Sequence, residues 1–171
     1  MVASGRAATS GVLFRDAEAL ETLRRIDTLI VDKTGTLTLG RPVFAKAIGV
    51  APFTEEGVLR MAASIDQGSE HPLANAIVEA ARNRGLQLAK AETFESATGI
   101  GVRGKVEGHA IVLGNTVLLS EAGADPEALA ADAEKLRVDG ASVIYLAVDG
   151  RLAGLLAVHG KSWAGVWSSS L

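Results

Sequence analysis

The residues best suited to chemistry directly follow a short apolar segment. Residues 28–31, Thr-Leu-Ile-Val, predict a buried strand, and residues 32–38 continue as Asp-Lys-Thr-Gly-Thr-Leu-Thr. A carboxylate at the carboxyl end of such a strand lies where open α/β sheets bind ligands, and it can attack a phosphoryl group to form an aspartyl phosphate. The glycine and hydroxyl residues let backbone N–H groups surround phosphate oxygens. The segment predicts a nucleophile at Asp32, with Lys33 and Thr34 beside it. An ordinary turn after a strand is the alternative.

A second polar segment precedes a predicted helix. Residues 69–74 read Ser-Glu-His-Pro-Leu-Ala, and Pro72 suits the first turn of a helix. Ser69 or His71 can cap that helix, and the imidazole can equally contact a ligand. The local chemistry supports both roles for His71.

A third segment imitates two known glycine motifs. Residues 99–105, Gly-Ile-Gly-Val-Arg-Gly-Lys, fit the dinucleotide pattern G-x-G-x-x-G and the first seven positions of a phosphate-binding P-loop. Val106 stands where a P-loop needs Ser or Thr, and the segment predicts a hairpin where the dinucleotide motif needs a helix. We therefore expect neither motif. The glycines let a ligand approach the backbone closely, or they mark a bulge at a strand entry.

The segment at 32–38 resembles the phosphorylation signature of the P-type ATPases, ion pumps with an aspartyl-phosphate intermediate. The wider haloacid dehalogenase-like superfamily places an Asp at the same strand end. Its phosphatases carry a second Asp two residues later, and this chain has Thr34 there. The resemblance therefore implies an ATPase, with Asp32 phosphorylated and Lys33 and Thr34 in the catalytic segment.

Residues 69–73 resemble the Ser-Glu-His-Pro-Leu element of the heavy-metal P-type ATPases. This resemblance implies a nucleotide-binding domain in which His71 helps to orient ATP, with Glu70 beside it. It also implies an adenine contact five positions before His71. Asp66 occupies that position, where Glu is usual, and its side chain is one methylene shorter.

Two glycine-containing elements extend the likeness. Gly99 and Gly101 match a Gly-x-Gly that lines the nucleotide pocket of heavy-metal ATPases, and Gly114 with Asn115 matches a Gly-Asn that borders it. The amide of Asn115 can bond a ribose or phosphate group. A turn residue in left-handed geometry is the alternative for Asn115.

The elements that must position these residues follow from capping, periodicity and turns. Thr54 can cap one helix, and another begins at Pro72 and ends near Gly85. The sequence also predicts a loop at 40–42, a strand at 43–50, a helix after 125–126, and hairpins at 101–113 and 142–158. This order predicts an α+β fold with an antiparallel sheet. The resemblance implies that the sheet is twisted and flanked by helical hairpins.

The resemblance divides the chain into three parts. Residues 1–39 would be a partial phosphorylation domain, a piece of a haloacid dehalogenase-like α/β fold, and residues 40–158 the nucleotide-binding domain. Residues 159–171 show no period and hold both tryptophans, so we expect a disordered or foreign tail.

Composition excludes several classes of protein. Hydrophobic residues make up 48% of the 171 residues, the net charge is −3 and cysteine is absent. These values indicate a globular core without disulfides or thiolate metal sites, and no basic excess for nucleic acid. With three scattered histidines, we expect no metal site in this chain. We also see no apolar run near the roughly 20 residues that span a bilayer.

The sequence thus predicts the ATP-binding portion of a copper- or silver-transporting pump, soluble by itself and at the cytoplasmic face of a membrane in the full-length protein. Expected ligands are ATP and Mg²⁺, with most magnesium ligands outside the chain. Expected partners are the remaining phosphorylation, actuator and membrane domains. We expect ATP binding without turnover. The alternatives are a small dehalogenase-like phosphatase and a non-catalytic nucleotide-binding module.

Overall fold

The computed structural model describes residues 18, 21–22, 25–28, 38–97 and 99–162. The chain forms two compact units, residues 1–33 and residues 34–171. The predicted catalytic residues Asp32, Lys33 and Thr34 lie outside the described residues, as do residues 163–171. The elements below belong to the second unit.

Six strands form one sheet in the order β1-β6-β5-β4-β3-β2, and every neighbouring pair is antiparallel. The strands are β1 (Thr38–Gly49), β2 (Ala91–Ala97), β3 (Gly101–Val106), β4 (His109–Gly114), β5 (Ala141–Val148) and β6 (Arg151–Ser162). The predicted hairpins are therefore confirmed as β3–β4 and β5–β6, the second of which turns at Asp149 and Gly150. The α+β fold class is also confirmed.

Four α-helices and one 3₁₀ turn lie between the strands. They are α1 (Glu55–Asp66), α2 (Pro72–Asn83), α3 (Thr116–Glu121), the 3₁₀ turn (Glu127–Leu129) and α4 (Ala130–Val138). The predicted cap of α1 is confirmed, because Thr54 Oγ1 accepts a hydrogen bond from the Gly57 N–H at 3.1 Å. The acidic residues Glu55 and Glu56 lie in the first turn, where they interact favourably with the positive end of the helix.

The strands at both ends of the unit are longer than we predicted. Residues 40–42 lie in β1, not in a loop, and the pairing is irregular between Thr38 and Pro42. That irregularity accommodates a proline, which has no N–H to donate to a ladder. At the other end, β6 runs through residues 159–162, which we expected in the tail, and His159 pairs with Val43. Residues 40–42 and 159–162 are strand residues because β1 and β6 pair with each other, and the local sequence of either segment does not reveal this pairing.

The sheet is covered on both faces. One apolar cluster contains Leu59 of α1, Ile77 of α2 and Leu156 of β6. A second contains Leu119 of α3 and Leu155 of β6. Because successive strand residues point to opposite faces, the fully buried neighbours Leu155 and Leu156 show that both faces are packed. Within the described part of the chain, no helix is long and apolar enough to cross a membrane.

The first prediction concerns this core. Replacing the fully buried Leu59 with alanine removes packed methyl groups and leaves a cavity. We expect the free energy of unfolding to fall by about 2–5 kcal/mol. Urea denaturation followed by circular dichroism measures the change. The control, Val138→Ala, alters a side chain that is 78% exposed, and its effect should stay within about 0.5 kcal/mol. Equal effects from the two variants would contradict the assigned core.

Candidate functional site

A cavity of about 270 Å³ lies where α1, α2, β2, β3, β4 and β5 meet. It takes in six of the seven nucleotide-binding residues predicted from the sequence: Asp66, His71, Gly99, Gly101, Gly114 and Asn115. The seventh, Glu70, is exposed and is not part of the cavity wall. Segments that are as far apart in sequence as Asp66 and Asn115 therefore converge on one place.

Asp66 supplies the acidic group of the cavity. It is the last residue of α1 and is only 6% exposed. Burial raises the pKa of its carboxyl group to about 7, because the charged form loses water that no neighbouring group replaces. The partial negative charge at the carboxyl end of a helix acts in the same direction. Near neutral pH, Asp66 can therefore accept a hydrogen bond as a carboxylate or donate one as an acid.

His71 caps a helix and also lines the cavity. Its Nδ1 accepts a hydrogen bond from the Leu73 N–H at 3.2 Å, which makes it the N-cap of α2. Ser69 Oγ accepts a bond from the His71 N–H at 3.3 Å. Because Nδ1 is an acceptor, the neutral ring carries its proton on Nε2. The cap therefore fixes the tautomer and leaves an Nε2–H donor on a ring that lines the cavity.

Gly101 and Gly114 are required by the close approach of two strands. They are direct partners in the β3–β4 ladder. A Cβ on Gly101 would lie 2.3 Å from the Leu113 carbonyl oxygen, and one on Gly114 would lie 2.3 Å from the Ile100 carbonyl oxygen. Gly99 differs, because its φ is +78° and a Cβ there would meet nothing within 4 Å. Packing thus explains two of the glycines, whereas Gly99 combines a left-handed backbone with open space.

Asn115 caps α3 from the other side of the cavity. Its Oδ1 accepts a hydrogen bond from the Leu118 N–H at 3.1 Å. The alternative of a left-handed turn residue is wrong, because φ is −81° and ψ is 179°. The cap uses the side-chain oxygen and leaves the two N–H donors of the amide for another partner.

Several lining residues were not predicted as ligand contacts, although the sequence analysis considered Ser69 as a helix cap. The hydroxyl residues Ser69 and Ser96 add polar groups, and the apolar walls come from Leu73, Ala74, Ala97, Ile100, Val102, Leu113, Val143 and Ile144. Ser96 lies on β2, which we did not predict as a strand, and Val143 and Ile144 come from β5. Only strand pairing brings Ser96, Val143 and Ile144 to the cavity, so no local sequence signal could have identified them.

The cavity has a largely apolar interior and few charges. Among the described residues, no lysine or arginine lines it, and Asp66 is the one acid in its wall. The available donors are the His71 Nε2–H, the Asn115 amide, the hydroxyls of Ser69 and Ser96, and backbone N–H groups. Such a site suits a flat, partly apolar ligand with a few polar edges. It does not supply side-chain cations for a cluster of negative charges.

Comparison with known proteins adds independent information. Residues 26–167 match the haloacid dehalogenase-like hydrolase family. The chain is 49% identical over 159 residues to a copper-exporting P-type ATPase of Legionella pneumophila, a match that covers 93% of this chain and 22% of that protein. It is 45% identical over 158 residues to a silver exporting P-type ATPase of Salmonella typhimurium, covering 92% of this chain and 19% of that protein.

Solved structures give the same result in three dimensions. A zinc-transporting PIB-type ATPase in the E2.Pi state superposes with a TM-score of 0.77 at 29% identity, over 94% of this chain and 26% of that one. The N-domain of HMA6, a copper-transporting P-type ATPase, superposes with a TM-score of 0.61 at 32% identity, over 70% of this chain and 99% of that one. The chain belongs to the haloacid dehalogenase-like hydrolases and, among them, to the P-type ATPases.

Membership of the P-type ATPases confirms the family and fold predicted from the motifs. The chain spans about a fifth of the length of these curated relatives. The aspartate signature of P-type ATPases at 32–38 is present in the sequence, and phosphorylation of Asp32 stays a prediction.

The second prediction uses the raised pKa of Asp66. Its folded-state pKa is about 7 against an ordinary value of 3.8, so the folded protein binds more protons than the unfolded chain between these values. The stability that this proton binding contributes is fully present below about pH 4 and is lost as the pH rises through about 7, a total of up to about 4 kcal/mol. Asp66→Asn should remove this loss and be more stable than the parent chain at pH 8.

Thermal or urea unfolding at pH values from 4 to 8 measures the effect. The control, Asp139→Asn, removes an exposed carboxylate and should keep the parental decline because Asp66 is intact. A parental slope that persists in Asp66→Asn would show that another group causes it.

Proposed function

We propose that this chain binds ATP in the cavity and is the nucleotide-binding portion of a copper- or silver-transporting P-type ATPase. The observation that carries the proposal is the convergence of Asp66, His71, Gly99, Gly101, Gly114 and Asn115 on one cavity. The family resemblance assigned these residues to a nucleotide pocket, and in the structure they line the same cavity.

The chemistry of the wall suits a purine nucleoside. Apolar side chains such as Leu73, Ile100 and Val143 can cover the faces of a base. The buried carboxyl of Asp66 offers an acceptor or a donor to the polar edge of adenine. The Nε2–H of His71 and the amide of Asn115 provide donors for ribose or phosphate oxygens. These polar contacts fix the orientation of the nucleotide, while burial of the base supplies most of the affinity.

Gly99 leaves open space in which the phosphates of ATP can lie against the backbone. Its open surroundings let a phosphate group approach the loop. With no cationic side chain in the described wall, the triphosphate extends away from the cavity. In the full-length pump, we propose Asp32 as the acceptor of the γ-phosphoryl group, with Lys33 and Thr34 beside it. In that step a carboxylate oxygen attacks the γ-phosphorus, the bond to the bridging oxygen breaks, and ADP leaves.

Magnesium would neutralise the charge that develops on the transferred phosphoryl group. Among residues 38–97 and 99–162, no three His, Asp or Glu side chains are grouped closely enough to hold a metal ion. We therefore assign the magnesium ligands mainly to other parts of the pump. Those parts, the rest of the phosphorylation domain with the actuator and membrane domains, are the proposed partners of this chain.

The proposed division of the chain follows the family. Residues 1–39 belong to the phosphorylation domain and residues 40–158 to the nucleotide-binding domain, with β6 continuing to Ser162. Copper or silver is the proposed cargo, because the curated relatives named above export copper or silver. The proposed location in the whole pump is the cytoplasmic face of a membrane. The phosphatase alternative lacks support, since Thr34 replaces the second Asp and the relatives are P-type ATPases.

The third prediction separates ligand binding by His71 from its structural function. Asparagine is among the best N-cap residues, so His71→Asn keeps the cap of α2 and removes the Nε2–H donor. We expect ATP to bind about tenfold more weakly or worse, because a hydrogen bond to a charged group is lost. Calorimetric titration measures the dissociation constant, and thermal unfolding verifies that the cap is retained.

A matched control is His109→Asn, which changes another exposed histidine that is not part of the cavity. It should bind ATP like the parent chain. Unchanged affinity in His71→Asn would contradict the assigned contact. Absence of ATP binding by the folded parent chain would contradict the proposed function.

A further inference from the structure

One large apolar side chain lies at the border of the cavity without belonging to its wall. Phe94, on the edge strand β2, is 39% exposed. Its ring lies beside Gly68, in the loop that joins α1 to α2. A Cβ built on Gly68 would lie 3.7 Å from Cγ and from Cδ2 of the ring, which is ordinary van der Waals contact. The ring therefore borders the space that a side chain at Gly68 would occupy.

The geometry of β2 orients this contact toward the cavity. Alternation along a strand places Phe94 and Ser96 on one face and Glu95 on the other. Ser96 lines the cavity, whereas Glu95 forms an ion pair with Arg103 at 2.9 Å on the opposite face. Phe94 is thus the next residue on the cavity side of β2, beyond the wall itself.

The loop under the ring carries the polar residues of the site. Its first half is held by Gln67, whose Nε2 donates to the Ala89 carbonyl oxygen at 2.8 Å, and by the Ser69 N–H, which donates to the Asp66 carbonyl oxygen at 3.0 Å. Its second half ends at His71, whose Nδ1 accepts from the Leu73 N–H. Gly68 lies between these two halves, so the Phe94 ring lies beside the middle of the loop.

We propose that Phe94 is a positioning residue for His71. By bordering the space beside Gly68, its ring restricts the movement of the loop, and the restricted loop holds the imidazole in the orientation in which Nδ1 caps α2 and Nε2–H faces the cavity. The consequence for ligand affinity rests on the proposed ATP site. The effect on the imidazole does not, because it concerns the protein without ligand.

Phe94→Ala and Phe94→Leu test the proposal, with Val43→Ala as the control. Val43 is 44% exposed on β1, the opposite edge strand of the sheet. Nitrogen-15 NMR of the ligand-free chain reports the His71 tautomer, and hydrogen exchange reports protection of the Leu73 amide. In Phe94→Ala we expect a mixed tautomer, Leu73 exchange faster by about fivefold, and ATP affinity lower by a similar factor. Phe94→Leu should behave almost like the parent chain, because leucine keeps an apolar side chain at this place. Val43→Ala should change neither the His71 tautomer, nor the Leu73 exchange rate, nor the ATP affinity.

An unchanged tautomer and unchanged Leu73 exchange in folded Phe94→Ala would overturn the proposal, as would equal changes in Val43→Ala. If the parent chain fails to bind ATP, the proposed function fails, while the tautomer and exchange data still decide the positioning function. Gly68→Ala tests the proposal by adding a contact, since its Cβ would lie in ordinary van der Waals contact with the ring. It should slow Leu73 exchange in the parent chain but not in Phe94→Ala, and an equal effect in both backgrounds would contradict the proposal.

Discussion

The cavity depends on the close approach of β3 and β4 at Gly101 and Gly114. Backbone atoms occupy the space where either residue would carry a Cβ. The approach also lets the Asn115 N–H donate to the Ile100 carbonyl oxygen at 2.9 Å. The turn that contains Gly99 is thereby fixed beside the start of α3. A side chain at Gly101 or Gly114 would separate these segments and open one wall of the cavity.

Two helix caps supply the polar groups of the site. His71 begins α2 and Asn115 begins α3, and each cap uses one side-chain atom while leaving N–H donors for another partner. Hydrogen bonds that the helices need anyway therefore hold both side chains in a single orientation before any ligand arrives. Preorganisation of this kind lowers the entropy cost of binding. In the proposed ATP site, helix stability and ligand affinity depend on the same residues.

Local signals in the sequence predicted helices and turns correctly, whereas features that depend on strand pairing were missed. Thr54, Pro72 and the Asp149-Gly150 turn mark elements that the structure contains, because caps and tight turns are encoded in adjacent residues. Strand β2 gave no such signal, since most of its side chains are exposed and apolar and polar residues do not alternate along it. For the site, six of the seven proposed binding residues line one cavity, whereas Glu70 is exposed outside it. The burial of Asp66 and the apolar walls from β5 arise from tertiary packing, which no motif records.

The central claim is that the cavity holds ATP, and an NMR titration of the isotopically labelled chain tests it most directly. We expect saturable shift changes at the cavity amides Gly99, Gly101, Gly114 and Asn115. Residues of α4, which packs on the far face of the sheet, such as Ala133 and Arg137, should be unaffected. Shift changes that are absent, or that appear on the far face instead of the cavity, would contradict the account.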